Sequence, residues 1–461
     1  MKGHALSSLV VSLSTAAATM LLLPAPAKAG PDTHAGVPYS NRTDAVIESQ
    51  AGFNFQRNGN RAYITPKLHA RQYASHRHNV KFIWYNDTKS PTDITATDLA
   101  NGGKAFDGFI IQRLVGTKDD PKRNDQFAWC AFTDRHYTLD GSDDDIGKYL
   151  TALENLPPDP MPERFIRVVA DPYHVPGFNW SDDGFWNNVA SNMKVASKMC
   201  HDANLRGIFL DTEGYNGLSY SYKGLKNDPK YAGMSYEDMS AIAENRGRQV
   251  MRALNSEDPS ITIYVTFSSI AVSQHMNRAA LTNNGSLLIP FLDGMLDGST
   301  GSTTFIDGAE YGYFHDDRPS FFSDWRKVTL DASQYNVRFQ KYPDKFLRQY
   351  EVGFALYLDR TRDVNGKWGV FGWCNGAMPQ LFYSPARLAY TVQQAVKASD
   401  EYMWFYAQKV DAWAAPGSTP TALPRAFADA MRDGQRHGND PSLPPLPQNN
   451  SPGNAADLCG K

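Results

Sequence analysis

The run Leu205-Arg206-Gly207-Ile208-Phe209-Leu210-Asp211-Thr212-Glu213 decides the fold. Just upstream, Phe185, Val189, Met193, Ala196 and Cys200 recur at steps of three and four, which puts them on one face of a helix. The run itself is too short for a helix of that kind. It is apolar without a break from Ile208 to Leu210 and finishes in polar residues, as a strand covered on both faces does. A helix feeding a doubly covered strand is half of a parallel crossover unit.

Working outward, the same kind of run recurs along the chain. Upstream lie Lys81–Asn86, Phe106–Gln112 and Phe165–Asp171, and downstream Ile261–Phe267, Thr303–Tyr311, Glu351–Asp359 and Glu401–Gln408. Helical patterns separate several of them, including Met239 to Leu254 and a helix opening at Ser384-Pro385 and running to about Ala398. Eight such strands alternating with helices predict an α/β fold of the (β/α)8 TIM barrel type, spanning about residues 80–437. The alternative is an open doubly wound sheet, but no glycine-rich phosphate turn follows the first strand. Residues 30–79 read as an N-terminal extension without a clear period. The Pro- and Asn-rich stretch 438–461 reads as a disordered tail.

Composition narrows the function. The chain has 461 residues, 41% hydrophobic and 21% charged, with 9 Trp, 23 Tyr and 24 Phe, enough for a large packed core. A formal charge of −3 lacks the basic excess that nucleic acid demands. Met1-Lys2, the uncharged stretch Leu6 to Leu23 and Ala27-Lys28-Ala29 before Gly30 predict a signal peptide over residues 1–29. Its alternative, a membrane anchor, needs a longer unbroken apolar span. A secreted or periplasmic mature chain starting at Gly30, off the membrane, is the expectation. There Cys130, Cys200, Cys374 and Cys459 are free to oxidise; two bridges allow three connectivities, and Cys130–Cys374 is the expected pair because the segments after strands two and seven that carry them can meet above the barrel. Nothing in the sequence sets an oligomeric state.

In such a barrel the chemistry sits at the carboxyl ends of the strands. Alternation puts Gly207, Phe209, Asp211 and Glu213 on one face of the fourth strand. Two stacked carboxyls hold one proton more tightly than the other, which suits a general acid, Glu213, tuned by Asp211. A strand-end salt bridge is the alternative use of these acids. The sixth strand ends Asp307-Gly308-Ala309-Glu310-Tyr311, and Glu310 is the candidate for the opposing base or nucleophile, or else a solvated loop acid. The remaining ends supply Trp84, Asn86, Asp171, Tyr215, Tyr311, Tyr357, Asp359, Trp404, Tyr406 and Gln408 as candidate substrate contacts. Flat rings, amides and carboxylates together suit a carbohydrate, and a carboxyl pair suits the acetal carbon.

The Asp-x-Glu end of GIFLDTEGY resembles the strand-four motif of chitinase-type barrels, whose Glu is the proton donor; that family's longer aspartate run is absent. FDGFII, FLDTEGYN, LLIPFLDGML, DGAEYGY and DEYMWFY together resemble a poorly characterised bacterial group of predicted barrel glycosidases, across roughly residues 80 to 435. The resemblance implies a two-carboxylate glycoside hydrolase with no cofactor. It also implies an acid just after the eighth-strand tyrosine, where this chain has Ala407-Gln408.

Other classes find less support in the sequence. His76-Arg77-His78 has metallohydrolase spacing but precedes the first strand, so no metal site is assigned. Asp140–Asp145 lacks the ordered spacing of a calcium loop, and no Gly-x-Ser-x-Gly elbow supports serine chemistry. A carbohydrate-binding barrel without catalysis is the non-enzyme alternative.

Overall fold

A computed structural model of the chain describes residues 53–58, 61–66, 79–86, 88–118, 126–171, 178–213, 219–268, 286–314, 320–330, 340–362, 368–370 and 380–454. All eight apolar runs form strands. In chain order these are β1 (Lys81–Tyr85), β2 (Gly108–Ile111), β3 (Glu163–Val169), β4 (Gly207–Asp211), β5 (Thr262–Val265), β6 (Thr304–Asp307), β7 (Tyr350–Val352), β8 (Phe354–Tyr357) and β9 (Tyr402–Tyr406). Neighbouring strands follow the order β7-β6-β5-β4-β3-β2-β1-β9-β8, and every pairing is parallel. The sheet begins and ends on two halves of one run, β7 and β8, and that closes it into the TIM barrel.

The seventh run splits at Gly353 because two neighbours press on it. A Cβ there would lie 2.5 Å from the Tyr264 hydroxyl and 2.7 Å from the Tyr402 carbonyl oxygen, so only glycine fits. Its N–H donates to the Asp307 carbonyl at 2.9 Å, and beyond the break the Leu358 N–H donates to Tyr406. The first half thus zips to β6 and the second to β9.

A helix follows each barrel strand except β7, which leads directly into β8. These helices are α1 (Ala96–Gly102), α2 (Gly147–Asn155), α3 (Asp183–Asp202), α4 (Tyr236–Asn255), α5 (Leu288–Gly298), α6 (Phe321–Leu330), α7 (Pro385–Ala398) and α8 (Arg425–Asn439). α3 buries Phe185, Val189, Met193, Ala196 and Cys200, the stripe its spacing implied. α4 starts at a reciprocal Ser235–Asp238 capping box. α7 opens at Ser384, whose side chain accepts from the Arg387 N–H, with proline in the first turn.

Period-two alternation sorts the strand side chains into two cores. Ile83, Ile110, Phe165, Phe209, Tyr264 and Trp404 fill the barrel, while Phe82, Trp84, Ile166, Ile208, Ile263 and Phe405 pack outward under the helices. Each such buried side chain stabilises the fold by about 1.5–3 kcal/mol. The amino-terminal end of the barrel is sealed by ions. The Glu163 carboxylate accepts from Arg206 at 2.6 Å and from the Tyr402 hydroxyl at 2.9 Å, and Lys81 lies 3.4 Å away.

Two readings of the flanks change. Within the extension, Phe53–Asn58 and Arg61–Pro66 pair as an antiparallel hairpin. The tail, expected to be loose, is bound to the barrel as far as Asn454. Its backbone exchanges hydrogen bonds with α7 side chains: Arg387 donates to the Asn450 carbonyl, and Gln393 accepts from the Leu446 N–H. Gly453–Asn454 then pairs with Gln380–Leu381. Proline-rich chain lacks the donors for its own ladder, and here side chains of the barrel supply the partners. The leader, His76, His78, Cys374 and Cys459 lie outside the described residues, and with them the expected Cys130–Cys374 bridge. No described helix is long and apolar enough to cross a membrane.

Candidate active site

The carboxyl ends of β3, β4 and β6 bring three acids and one arginine together. β4 ends at Asp211, 3% exposed, whose face also carries Gly207 and Phe209 as alternation requires. Arg167 stands on the inner face of β3 beside Phe209 in register. Its Nε and Nη2 both donate to Asp211 Oδ2, at 3.1 and 2.5 Å, and its Nη1 donates to Gln112 Oε1 at 2.7 Å. The other oxygen, Asp211 Oδ1, accepts the backbone N–H of Glu213 at 3.0 Å. For Asp211, then, the salt-bridge use is the one observed. Thr212 points the other way and ties β4 to β5: its N–H donates to Thr266 Oγ1 at 2.9 Å.

Glu310 reaches the same place from β6 through a strained turn. Gly308 continues the ladder to Val265 at 2.7 Å, and Ala309 then adopts φ 38°, a left-handed conformation that costs a non-glycine residue about 1–2 kcal/mol. The turn leaves the Glu310 N–H on the Thr266 carbonyl at 3.3 Å and swings its side chain over the barrel mouth. Burial of the carboxyl, then the charges of Glu213 and Asp211, hold Glu310 well above the usual carboxylate range, with Arg167 pulling the other way. The alternative of a solvated loop acid does not describe this environment. The space Gly308 leaves is taken by the Val265 carbonyl and Tyr264, instead of opening a hollow beneath Glu310. Asp307 turns outward and accepts from Trp325 and Thr329 of α6.

Aromatic rings wall the mouth. Trp404, inside the barrel, donates its indole N–H to the Gly308 carbonyl at 2.9 Å and meets Phe209, Tyr313 and Tyr85 at 5.0, 5.3 and 5.9 Å between centroids. Tyr313 lies nearly parallel to Tyr406 at 5.8 Å, and Tyr357 packs edge-on to Tyr406 at 5.0 Å. The Glu310 charge also bears on the Tyr313 phenol. Of the expected contacts, Tyr357, Trp404 and Tyr406 therefore do gather with Glu213 and Glu310.

Other expected contacts are employed elsewhere. Trp84 faces outward, its ring against Phe106 at 5.1 Å, because Ile83 and Tyr85 take the inner face of β1. Asn86 is fully buried as a turn clamp, accepting from the Thr88 and Lys89 N–H groups and from the Trp413 indole. Asp171 accepts from the Ser219 hydroxyl. Asp359, pushed up to about 6 by burial, accepts the backbone N–H groups of Gln408 and Lys409, so it shapes the turn after β9. The Gln408 side chain is exposed. Tyr215 and the side chain of Tyr311 lie outside the described residues. The acids of the Asp140–Asp145 loop are engaged locally: Asp140 accepts from Ser142, and Asp145 from Gly141 and Gly147, while Asp143 pairs with Lys118 and His136 and Asp144 accepts the Lys118 N–H.

Arg167, Gln112, Tyr85, Trp129 and Tyr313 were missed from sequence. The signal for Arg167 was present in Phe165–Asp171: a charge within an otherwise apolar buried strand requires a buried partner.

No family model matches the chain, and no curated protein matches it in sequence. Among solved structures it is similar to an endocellulase from Pyrococcus horikoshii, at 11% identity and a TM-score of 0.38, covering 84% of this chain and 99% of that one. A Bacteroidetes-affiliated GH5 cellulase aligns at 8% identity and 0.40, covering 81% and 95%. A sugar phosphate isomerase/epimerase from Parabacteroides distasonis aligns at 8% and 0.32, covering 80% and 100%.

Proposed function

We propose that the chain is a glycoside hydrolase acting on an O-glycosidic bond of a poly- or oligosaccharide, with Glu213 and Glu310 as its working carboxyls. One observation carries this reading: two acids from different strand ends converge at the carboxyl end of the barrel, beside a wall of aromatic rings, where burial and then the charges of Glu213 and Asp211 raise the proton affinity of Glu310. Such a pair supplies the proton and the opposing carboxylate that acetal cleavage needs, and the rings suit the C–H faces of a sugar. The electrostatics favour Glu310 as the proton donor and Glu213 as base or nucleophile, the reverse of the roles expected from sequence. Asp211 is engaged by Arg167. Tyr357, Trp404 and Tyr406 are the substrate contacts in this reading, and the leader directs the mature chain to an extracytoplasmic compartment.

Hydrolysis of a polysaccharide panel tests the reading, with Glu213→Gln and Glu310→Gln alongside the wild type. Each substitution should lower kcat by about 10²–10⁴-fold. An activated aryl glycoside needs little protonation, so it should restore turnover to the variant lacking the donor, Glu310→Gln, and not to Glu213→Gln. Binding of sugar without cleavage by the wild type would sink the enzyme reading. Rescue of Glu213→Gln alone would return the roles to the order expected from sequence.

A further inference from the structure

Arg167 is 2% exposed, and a buried cation is tolerated only when its edges and faces are engaged. Here they are. Two edges meet Asp211 and Gln112, while the rings of Trp129 and Tyr85 lie 4.6 and 5.3 Å from its central carbon. Asp211 spends its second oxygen on the Glu213 N–H at 3.0 Å. A continuous line of contacts therefore runs from two rings and an amide, through Arg167 and Asp211, to the main chain that aims Glu213.

We infer that Arg167 is a positioning residue: through Asp211 it fixes the backbone of Glu213, and by neutralising Asp211 it leaves Glu213 and Glu310 as the working pair. The inference rests on the glycosidase reading for its catalytic consequence, but not for its electrostatic one. Lysine cannot substitute, since a point charge neither forks onto Asp211 and Gln112 nor lies flat between two rings. Removing Arg167 has two effects. Glu213 loses its brace, and Asp211 faces Glu310 as an uncompensated negative charge.

Both effects are measurable in the full-length protein. Arg167→Met should lower kcat about 10²-fold, as a misaimed group does, with KM changed less than about threefold. Arg167→Lys should recover little of the loss, whereas guanidinium ion at a non-denaturing concentration should partly restore Arg167→Ala by entering the slot between Tyr85 and Trp129. In an Asp211→Asn background, Arg167→Met should add almost nothing, because it acts through Asp211. A second readout needs no substrate. The charged groups that bear on Glu310 are Glu213, Asp211 and Arg167, and Tyr313 lies beside it. Carbon-13 NMR of glutamate-labelled protein, with Glu310 assigned through Glu310→Gln, should show it titrating at higher pH in Arg167→Met than in the wild type. In Arg167→Met combined with Asp211→Asn, it should titrate lower than in Arg167→Met alone. If the wild type cleaves no sugar, the glycosidase reading falls and this titration still decides the role of Arg167. An unmoved Glu310 titration in folded Arg167→Met, or fully additive losses with Asp211→Asn, would overturn the inference.

Discussion

Glu351 should make the stability of this barrel fall with rising pH, and Glu351→Gln should remove that fall. The carboxyl belongs to β7 and is 8% exposed. Burial, then the nearby charges of Asp400 and Glu401, push it up to about 8 against an ordinary 4.5, despite Arg326 and Lys81. The folded state therefore binds this proton more tightly than the unfolded chain does. Below about pH 4.5 both states are protonated and the group is neutral to stability. Between about 4.5 and 8 the unfolded chain has released its proton while the native carboxyl holds on, so stability drains away as pH rises. Above about 8 the loss is complete. At 1.36 kcal/mol for each tenfold in proton affinity, the loss approaches roughly 5 kcal/mol, an upper bound given some hydration of the site. In a chain of this size that is on the order of 5 °C in melting temperature. Calorimetry of wild type and Glu351→Gln at pH 5 and 8.5 isolates the effect, because Glu310 and Asp359 contribute to both proteins alike. Parallel curves for the two proteins would refute the reasoning.

Gly353→Ala should destabilise the barrel by about 1–3 kcal/mol, since its new methyl meets the Tyr264 hydroxyl and the Tyr402 carbonyl; an unchanged denaturant midpoint would contradict the account of closure. Trp84→Ala should cost about 3–5 kcal/mol of stability and leave KM for any cleaved sugar unchanged, because the ring lies under the helices. Trp404→Ala should cost a similar amount of stability, since that ring is equally buried inside the barrel, and should raise KM as well, as part of the wall at the mouth. Amino-terminal sequencing of exported protein should begin at Gly30, and an intact leader in the soluble fraction would argue against secretion.

The strands were legible because burial on both faces leaves little freedom of composition: a run such as Ile208-Phe209-Leu210 has few other places to go. Helix starts at Ser235 and Ser384 were legible for local reasons, in caps that need no knowledge of the rest of the fold. Facing was harder. Alternation fixes which residues of a strand share a face, but not which face looks inward. In β9 Trp404 looks in, and in β1 Trp84 looks out, although both stand in aromatic runs of similar length. The β1 phase follows from Lys81, which goes inward to meet Glu163 on a strand two places away, a partner invisible in Lys81–Asn86 itself. Asn86 and Asp359 were misread for a related reason. A polar residue at a strand end serves a turn as readily as a substrate, and only the amides around it distinguish the two.

Charge inside the barrel shows what does separate structure from chemistry. Lys81 with Glu163, and Arg167 with Asp211, are similar pairs: inward-facing, contributed by neighbouring or nearly neighbouring strands, and closed with a neutral hydrogen-bond partner, Tyr402 in one case and Gln112 in the other, although Lys81 is only partly buried. Residue type does not tell them apart. Position along the strand does. The first pair lies where β1 and β3 begin and seals the end of the barrel away from the βα loops. The second lies where β4 gives way to such a loop, so its carboxylate can brace a residue, Glu213, that has left the sheet. Glu310 completes the site from the turn after β6 in the same way, past the last ladder bond and held by a backbone that only a firm surrounding structure would keep at φ 38°. An ion pair at the amino end of this barrel is a plug, and at the carboxyl end it is a brace for the acids beyond it.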